Sequence, residues 1–279
     1  MSLSRREFLQ ILGLAVAGPT TGHITLGLDG LLPTTHLETV RGRVLKPKAT
    51  TYGDKIWADT LVDIHGATSS HYQTTVGDLP ITGVQPITPF AAAQQPTPLP
   101  FDGQVIGPVG VVRAYCDPTA PLVTRIGHGG VMRVTDKMHY SRTGDWYQVC
   151  DAQGDTLGWT QATHWAPVRD IAVGTLHVMI NRARHTLTFP DGTITRVNLP
   201  ADLPCGQTSV HRVVIGGEQV ASGDVVYHGV PHMLRFAGGP LLHGAYWHND
   251  FGHSASRIEV NTLAASVLWY ADKIHVRVI

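Results

Sequence analysis

The sequence predicts a mainly β protein, with two small β-barrel modules followed by a β-sandwich-like domain that carries one or two short helices. Three observations predict it. Short runs of β-branched and aromatic residues recur along the chain, separated by turn residues, and glycine (30) and proline (18) are abundant. A stretch rich in proline, alanine and glutamine at 87–100 (ITPFAAAQQPTPLP) parts two such blocks, because its prolines suit neither a helix interior nor a central strand. From Ile171 the pattern changes again, to two β-prone runs followed by a Pro-Asp-Gly turn. Composition agrees with a folded chain: 43% hydrophobic and 15% charged residues argue against disorder. The net charge is zero, so no global field draws the protein to nucleic acid or to anionic lipid, and neither is expected as a partner.

Residues 1–38 read as an export signal and tether. Ser4-Arg5-Arg6-Glu7-Phe8-Leu9 matches the twin-arginine pattern, and an apolar segment follows at 8–17. As a helix that segment covers about 15 Å, too short for a membrane span. Ala15-Val16-Ala17 offers a small-residue cleavage site. The mature chain is therefore expected outside the cytoplasmic membrane, without a transmembrane span.

Residues 39–88 form the first predicted module, with β-prone runs at Arg43-Val44-Leu45, Leu61-Val62-Asp63-Ile64 and His71 to Val76. A linker is expected at 89–104. The second module, 105–168, has clearer runs at Val109–Tyr115, Val131–Val134 and Trp146–Val149, a Gly154/Gly158 turn region leading to Trp159, and Trp165–Val168 as its close. These features resemble bacterial Src-homology-3-like barrels. In the first module His71-Tyr72-Gln73 takes the place of Trp146-Tyr147-Gln148. Cys116 and Cys150 share the second module and can pair in an oxidising compartment.

Residues 169–279 form the last predicted domain. Leu176–Ile180 and Thr186–Phe189, with the turn Pro190-Asp191-Gly192, read as a hairpin opening. Tyr227–Phe236 reads as a strand, and Leu263–Tyr270 as a helical turn or two.

The most specific stretch is 243–261, HGAYWHNDFGHSASRIEVN. It resembles the signature of the L,D-transpeptidase family (the YkuD-type domain), H-G-x-x-W-H-x-x-F-G followed by S-H-G-C-V-N. His243, Gly244, Trp247, His248, Phe251 and Gly252 keep the first half; Ser256, Val260 and Asn261 keep part of the second. Arg257, Ile258 and Glu259 stand where the family has His, Gly and the nucleophilic Cys.

The resemblance implies a β-dominated domain acting on peptidoglycan stem peptides in the cell wall, with no cofactor. It puts His243 in the position of the base that takes the thiol proton, and Glu259 in the position of the nucleophile. Gly244, Trp247, His248, Phe251 and Asn261 are carried over as substrate-groove positions. A carboxylate is a far weaker acyl nucleophile than a thiolate. Arg257 cannot accept a proton. Ile258 disfavours any turn that needs positive φ. The expectation is an exported cell-wall protein that binds or scaffolds peptidoglycan with impaired catalysis.

Two active alternatives stay open: Cys205 as a displaced nucleophile, or zinc held by His243, His248, His253 and Glu259. A third reading puts the function in the two barrels.

Overall fold

The computed structural model describes residues 15–16, 40–46, 48–49, 55–87, 98–168, 174–213, 216–222, 224–237 and 239–279. The signal and tether expected at 1–38 lie outside the described residues, apart from Ala15–Val16, a short strand paired with Thr193 and Ile194. The chain is mainly β, with one α-helix among the described residues, Thr262–Trp269. It divides into two compact units: residues 1–88, 171–212 and 234–279, and residues 89–170 with 213–233.

The first unit holds two principal sheets. The smaller runs Gly77–Pro80, His71–Thr74, Leu61–Ala67, Val40–Val44, Val84–Ile87 in spatial order. Alternation buries Val62, Ile64, Tyr72, Leu79 and Val84 on one face. This corrects one match made on sequence. Tyr72 is buried whereas Tyr147 is half-buried, and Trp146 is buried whereas His71 is half-buried. The two motifs are one residue out of phase, and in a strand one residue exchanges the faces.

The larger sheet runs Ala15–Val16, Thr193–Arg196, Thr186–Thr188, Thr175–Asn181, Lys273–Val278, Gly206–Arg212, Leu234–Phe236, Leu241–Ala245, Ile258–Asn261. Pro190-Asp191-Gly192 forms a tight turn after Thr186–Thr188: the Gly192 N–H donates to the Phe189 carbonyl at 3.0 Å, with Gly192 at φ 83°. The terminal strand Ile258–Asn261 does not leave a free edge. The backbone N–H of Asn198 donates to the Glu259 carbonyl at 2.9 Å, and the N–H of Glu259 returns a bond to the Asn198 carbonyl at 3.0 Å. Asn198 lies just beyond Thr193–Arg196, so this bridge nearly closes the sheet into a barrel around Leu176, Ile180, Leu187, Leu242, Ile258, Val260 and their neighbours.

Asn261 caps the helix by accepting from the N–H of Ala264 at 2.8 Å. Ala264, Ala265 and Leu268 pack into the barrel core, while Leu263 packs into the core of the smaller sheet. The helix therefore serves both sheets of its unit.

The second unit is built on one antiparallel sheet, in the order Leu122–Gly127, Val109–Arg113, Thr156–Gln161, Gly144–Cys150, Val131–Tyr140, Phe101–Val105, Trp165–Pro167. It starts at Phe101, inside the stretch read as linker. Residues 213–233, read as part of the last domain, belong to this unit. Tyr227–Phe236 is accordingly two elements instead of one strand. Val225–His228 pairs with Gln219–Ser222, and the N–H of Val131 donates to the Gly229 carbonyl at 3.0 Å. Positive φ at Gly229 (67°) and His232 (52°) breaks the extended backbone before Leu234. Cys116 and Cys150 are unpaired: both are buried free thiols, with the Cys150 Sγ 3.3 Å from the Thr135 hydroxyl.

Candidate active site

His243 and Glu259 are direct partners on adjacent parallel strands, so both side chains project from the same sheet face, away from the barrel core. The His243 Nε2 is 3.8 Å from Glu259 Oε1, and the ring is fully buried. Its Nδ1 lies 3.1 Å from the Gly244 carbonyl. A carbonyl only accepts, so the neutral ring carries its proton on Nδ1 and leaves the Nε2 lone pair facing the carboxylate. Burial pushes the His243 pKa below its ordinary value; the Gly244 carbonyl and Glu259 oppose the shift, and Arg257 and His248 reinforce it.

Glu259 receives two donors. The Asn198 amide donates to Oε2 at 3.1 Å, and His248 Nε2 approaches the same oxygen at 3.4 Å. The N–H of Asp250 donates to His248 Nδ1 at 3.2 Å, which places the His248 proton on Nε2, toward Glu259. Burial alone would raise the Glu259 pKa. The hydrogen bonds from His248 and Asn198, with the two imidazoles' electrostatics, hold it below the usual value.

Asn198 was not anticipated from the sequence. Its side-chain oxygen accepts from the N–H groups of Gly252 and His253 at 2.9 and 3.0 Å, while its amide reaches Glu259. One buried amide thus fastens the signature loop to the carboxylate. Only its position after a strand and before Leu199-Pro200 marks it in the sequence, which is no distinguishing signal.

The other signature residues divide by burial. Gly244, Trp247 and Phe251 are buried. The Trp247 ring centroid is 5.8 Å from His243, and that of Phe251 is 4.8 Å from His248. Both amide ends of Asn261 are engaged within the protein, one at the helix cap and one on the Thr195 hydroxyl at 3.0 Å. Ser256 is exposed, and Arg257 is half-buried. Ile258 is extended and fully buried in the barrel core, so no positive φ is asked of it.

Neither alternative chemistry is assembled here. His253 lies 3.0 Å from the carboxylate of Asp250 and is exposed. Among the described residues no group of three or more His, Cys, Asp or Glu side chains is placed to hold a metal ion. Cys205 lines a separate cleft with Arg182, whose guanidinium is 3.4 Å from its sulfur, and His243 does not line that cleft.

The smaller sheet supports the site from below. Buried Arg43 pairs with Asp59 at 2.7 Å and donates to Gln85 at 3.0 Å and to the Tyr246 carbonyl at 3.2 Å. Asn249 donates to the Ile81 carbonyl at 3.0 Å. One end of the Tyr246–Asn249 segment is thus tied to that sheet and the other to the 3-10 turn Ile81–Gly83 that joins two of its strands.

No family model matches the chain, and no curated protein matches it. Solved structures that resemble it include an L,D-transpeptidase from Mycobacterium tuberculosis, 15% identical, covering 65% of this chain and 96% of that one at a TM-score of 0.30. L,D-transpeptidase 3 of the same organism, in complex with a faropenem-derived adduct, is 15% identical over 64% of this chain and 95% of its own, at 0.29. An L,D-transpeptidase from Mycobacterium smegmatis is 16% identical over 66% and 100%, at 0.28. At these TM-scores the likeness is partial. Among the described residues no helix is long and apolar enough to cross a membrane.

Proposed function

We propose that the protein is an exported member of the L,D-transpeptidase family that binds peptidoglycan stem peptides without acyl transfer. The observation that carries this is the pairing at the centre of the site. A neutral imidazole presents a lone pair to a carboxylate that already accepts from Asn198 and His248. There is no proton for His243 to remove, and attack by Glu259 on an acyl group would yield only a labile anhydride. Arg257, in place of a second imidazole, supplies a permanent cation near His243. What remains is a loop fastened by Asn198 over the polar pair at the centre of the site.

The test is incubation with tetrapeptide stems followed by intact-protein mass spectrometry, beside co-sedimentation with peptidoglycan sacculi. Retention on sacculi with unchanged protein mass is expected. An adduct on Glu259 or Cys205 would overturn the loss of catalysis, and absence of retention would overturn the binding role.

A further inference from the structure

We propose that the outward face of the large sheet carries a second binding site, for a ligand bearing a carboxylate or phosphate group. Three neighbouring strands build it: Thr175–Asn181, Lys273–Val278 and Gly206–Arg212. Strand register places His177 directly beside His275, and Ser209 on the other side of His275. In the next row Arg277 stands between Met179 and Gln207. Their alternate neighbours Leu176, Val178, Ile274 and Val276 point into the barrel core, so these polar side chains all face outward. They line a cleft of about 600 Å³, within the range of sites that hold a small ligand.

The chemistry of the lining selects the ligand. His177 and His275 stack with ring centroids 4.9 Å apart and planes 21° from parallel. With Arg277, Gln207 and Ser209 they bring N–H and O–H donors to one concavity, and no carboxylate lines it among the described residues. An oxyanion, which accepts only, matches such a donor set, and the guanidinium fork suits carboxylate or phosphate geometry. Basic residues flank it on the same face: Lys273 stands opposite Thr175, and His211 opposite Arg235. Two imidazoles in register can also suggest a divalent cation, but the fixed charge of Arg277 in the same cleft opposes one.

This site lies on the same sheet face as His243 and Glu259, with Leu234–Phe236 among the strands that intervene. Its test involves no stem peptide, so it stands or falls apart from the function proposed above.

The experiment titrates the protein with sodium phosphate and, separately, sodium citrate, with sodium chloride holding ionic strength constant. It reads the ring resonances of His177 and His275 and a calorimetric Kd. Saturable shifts at both rings are expected with at least one anion, and the tighter anion identifies phosphate or carboxylate as the group recognised. Arg277→Ala should weaken binding about tenfold. Lys137→Ala, which removes the same charge in the other unit, should leave Kd unchanged. Arg277 and Lys137 are both exposed, so these variants should fold, which circular dichroism checks. Shifts that grow linearly without saturation would overturn the proposal. So would an affinity indifferent to Arg277→Ala, or saturation by nickel or zinc chloride with no response to either anion.

Discussion

Asn198 is the residue on which the candidate site depends most. It is 6% exposed, and its side chain satisfies two loop N–H groups and one carboxylate oxygen. Asn198→Ala leaves the two loop N–H groups without their acceptor and Glu259 with His248 as its remaining side-chain donor, and each buried orphan costs about 1–3 kcal/mol. A loss of about 2–4 kcal/mol in urea-unfolding stability is expected; a change below about 0.5 kcal/mol would show that water replaces the amide. The pH response follows from the same cluster. His243 has a lowered pKa, so the stability it contributes is complete above the ordinary imidazole value, about 6.5, and declines as pH falls below it. Glu259 also has a lowered pKa, so its contribution is present above the ordinary carboxylate range and is lost as pH falls through its depressed value. Both slopes have the same sign. Stability measured from pH 8 to 4 should fall toward acid, and His243→Asn should flatten the upper part of that fall.

At the scale of elements, the strand Ile258–Asn261 and the smaller sheet decide what the signature loop can become. Ile258 fills the barrel core. Ile258→Gly removes a buried side chain and loosens a strand, at a cost of about 3–5 kcal/mol. Placing His, Gly and Cys together at 257–259 should therefore lower Tm markedly before it gives any thiol reactivity; an unchanged Tm would mean the strand relaxes into a turn. The smaller sheet acts through Arg43. Arg43→Met removes the guanidinium's bonds to Asp59 and to the Tyr246 carbonyl, and removing one partner of a buried pair costs about 3–5 kcal/mol. Hydrogen exchange should show faster exchange at 246–252 as well as in the strand Val40–Val44. Protection unchanged at 246–252 would show that the loop is held without the smaller sheet.

At the scale of the whole molecule, the second unit carries an acid sensitivity of its own. In the second unit buried His232 has its pKa pushed down to about 3, first by burial and then by the neighbouring His128. Its Nε2 is 2.9 Å from the Gln104 amide nitrogen, which can only donate, so the ring accepts there and must be neutral. The stability this neutral form gives is complete above pH about 6.5 and declines toward pH 3. Hydrogen exchange in that window should accelerate in 101–167, and His232→Asn, whose residue type tolerates positive φ, should reduce the acceleration. Equal acceleration in the variant would place the acid-labile group elsewhere.

Much of this was legible in the chain because it is local. The run at Trp146 and the turn at Pro190-Asp191-Gly192 follow from alternation and turn chemistry, each settled within a few residues. The signature at 243–261 named the His243 and Glu259 pair, which the parallel strands place side by side. Tertiary structure alone decided the rest. Alternation has a period but no absolute phase, so only the packed sheet shows that Tyr72 and Trp146, instead of Tyr72 and Tyr147, share the buried role. The hairpin Gln219–His228 gives no local sign of which unit it joins. Asn198 and Arg43 reach their partners across 61 and 203 positions of chain, and such contacts exist only once closure of the sheets has brought those segments together.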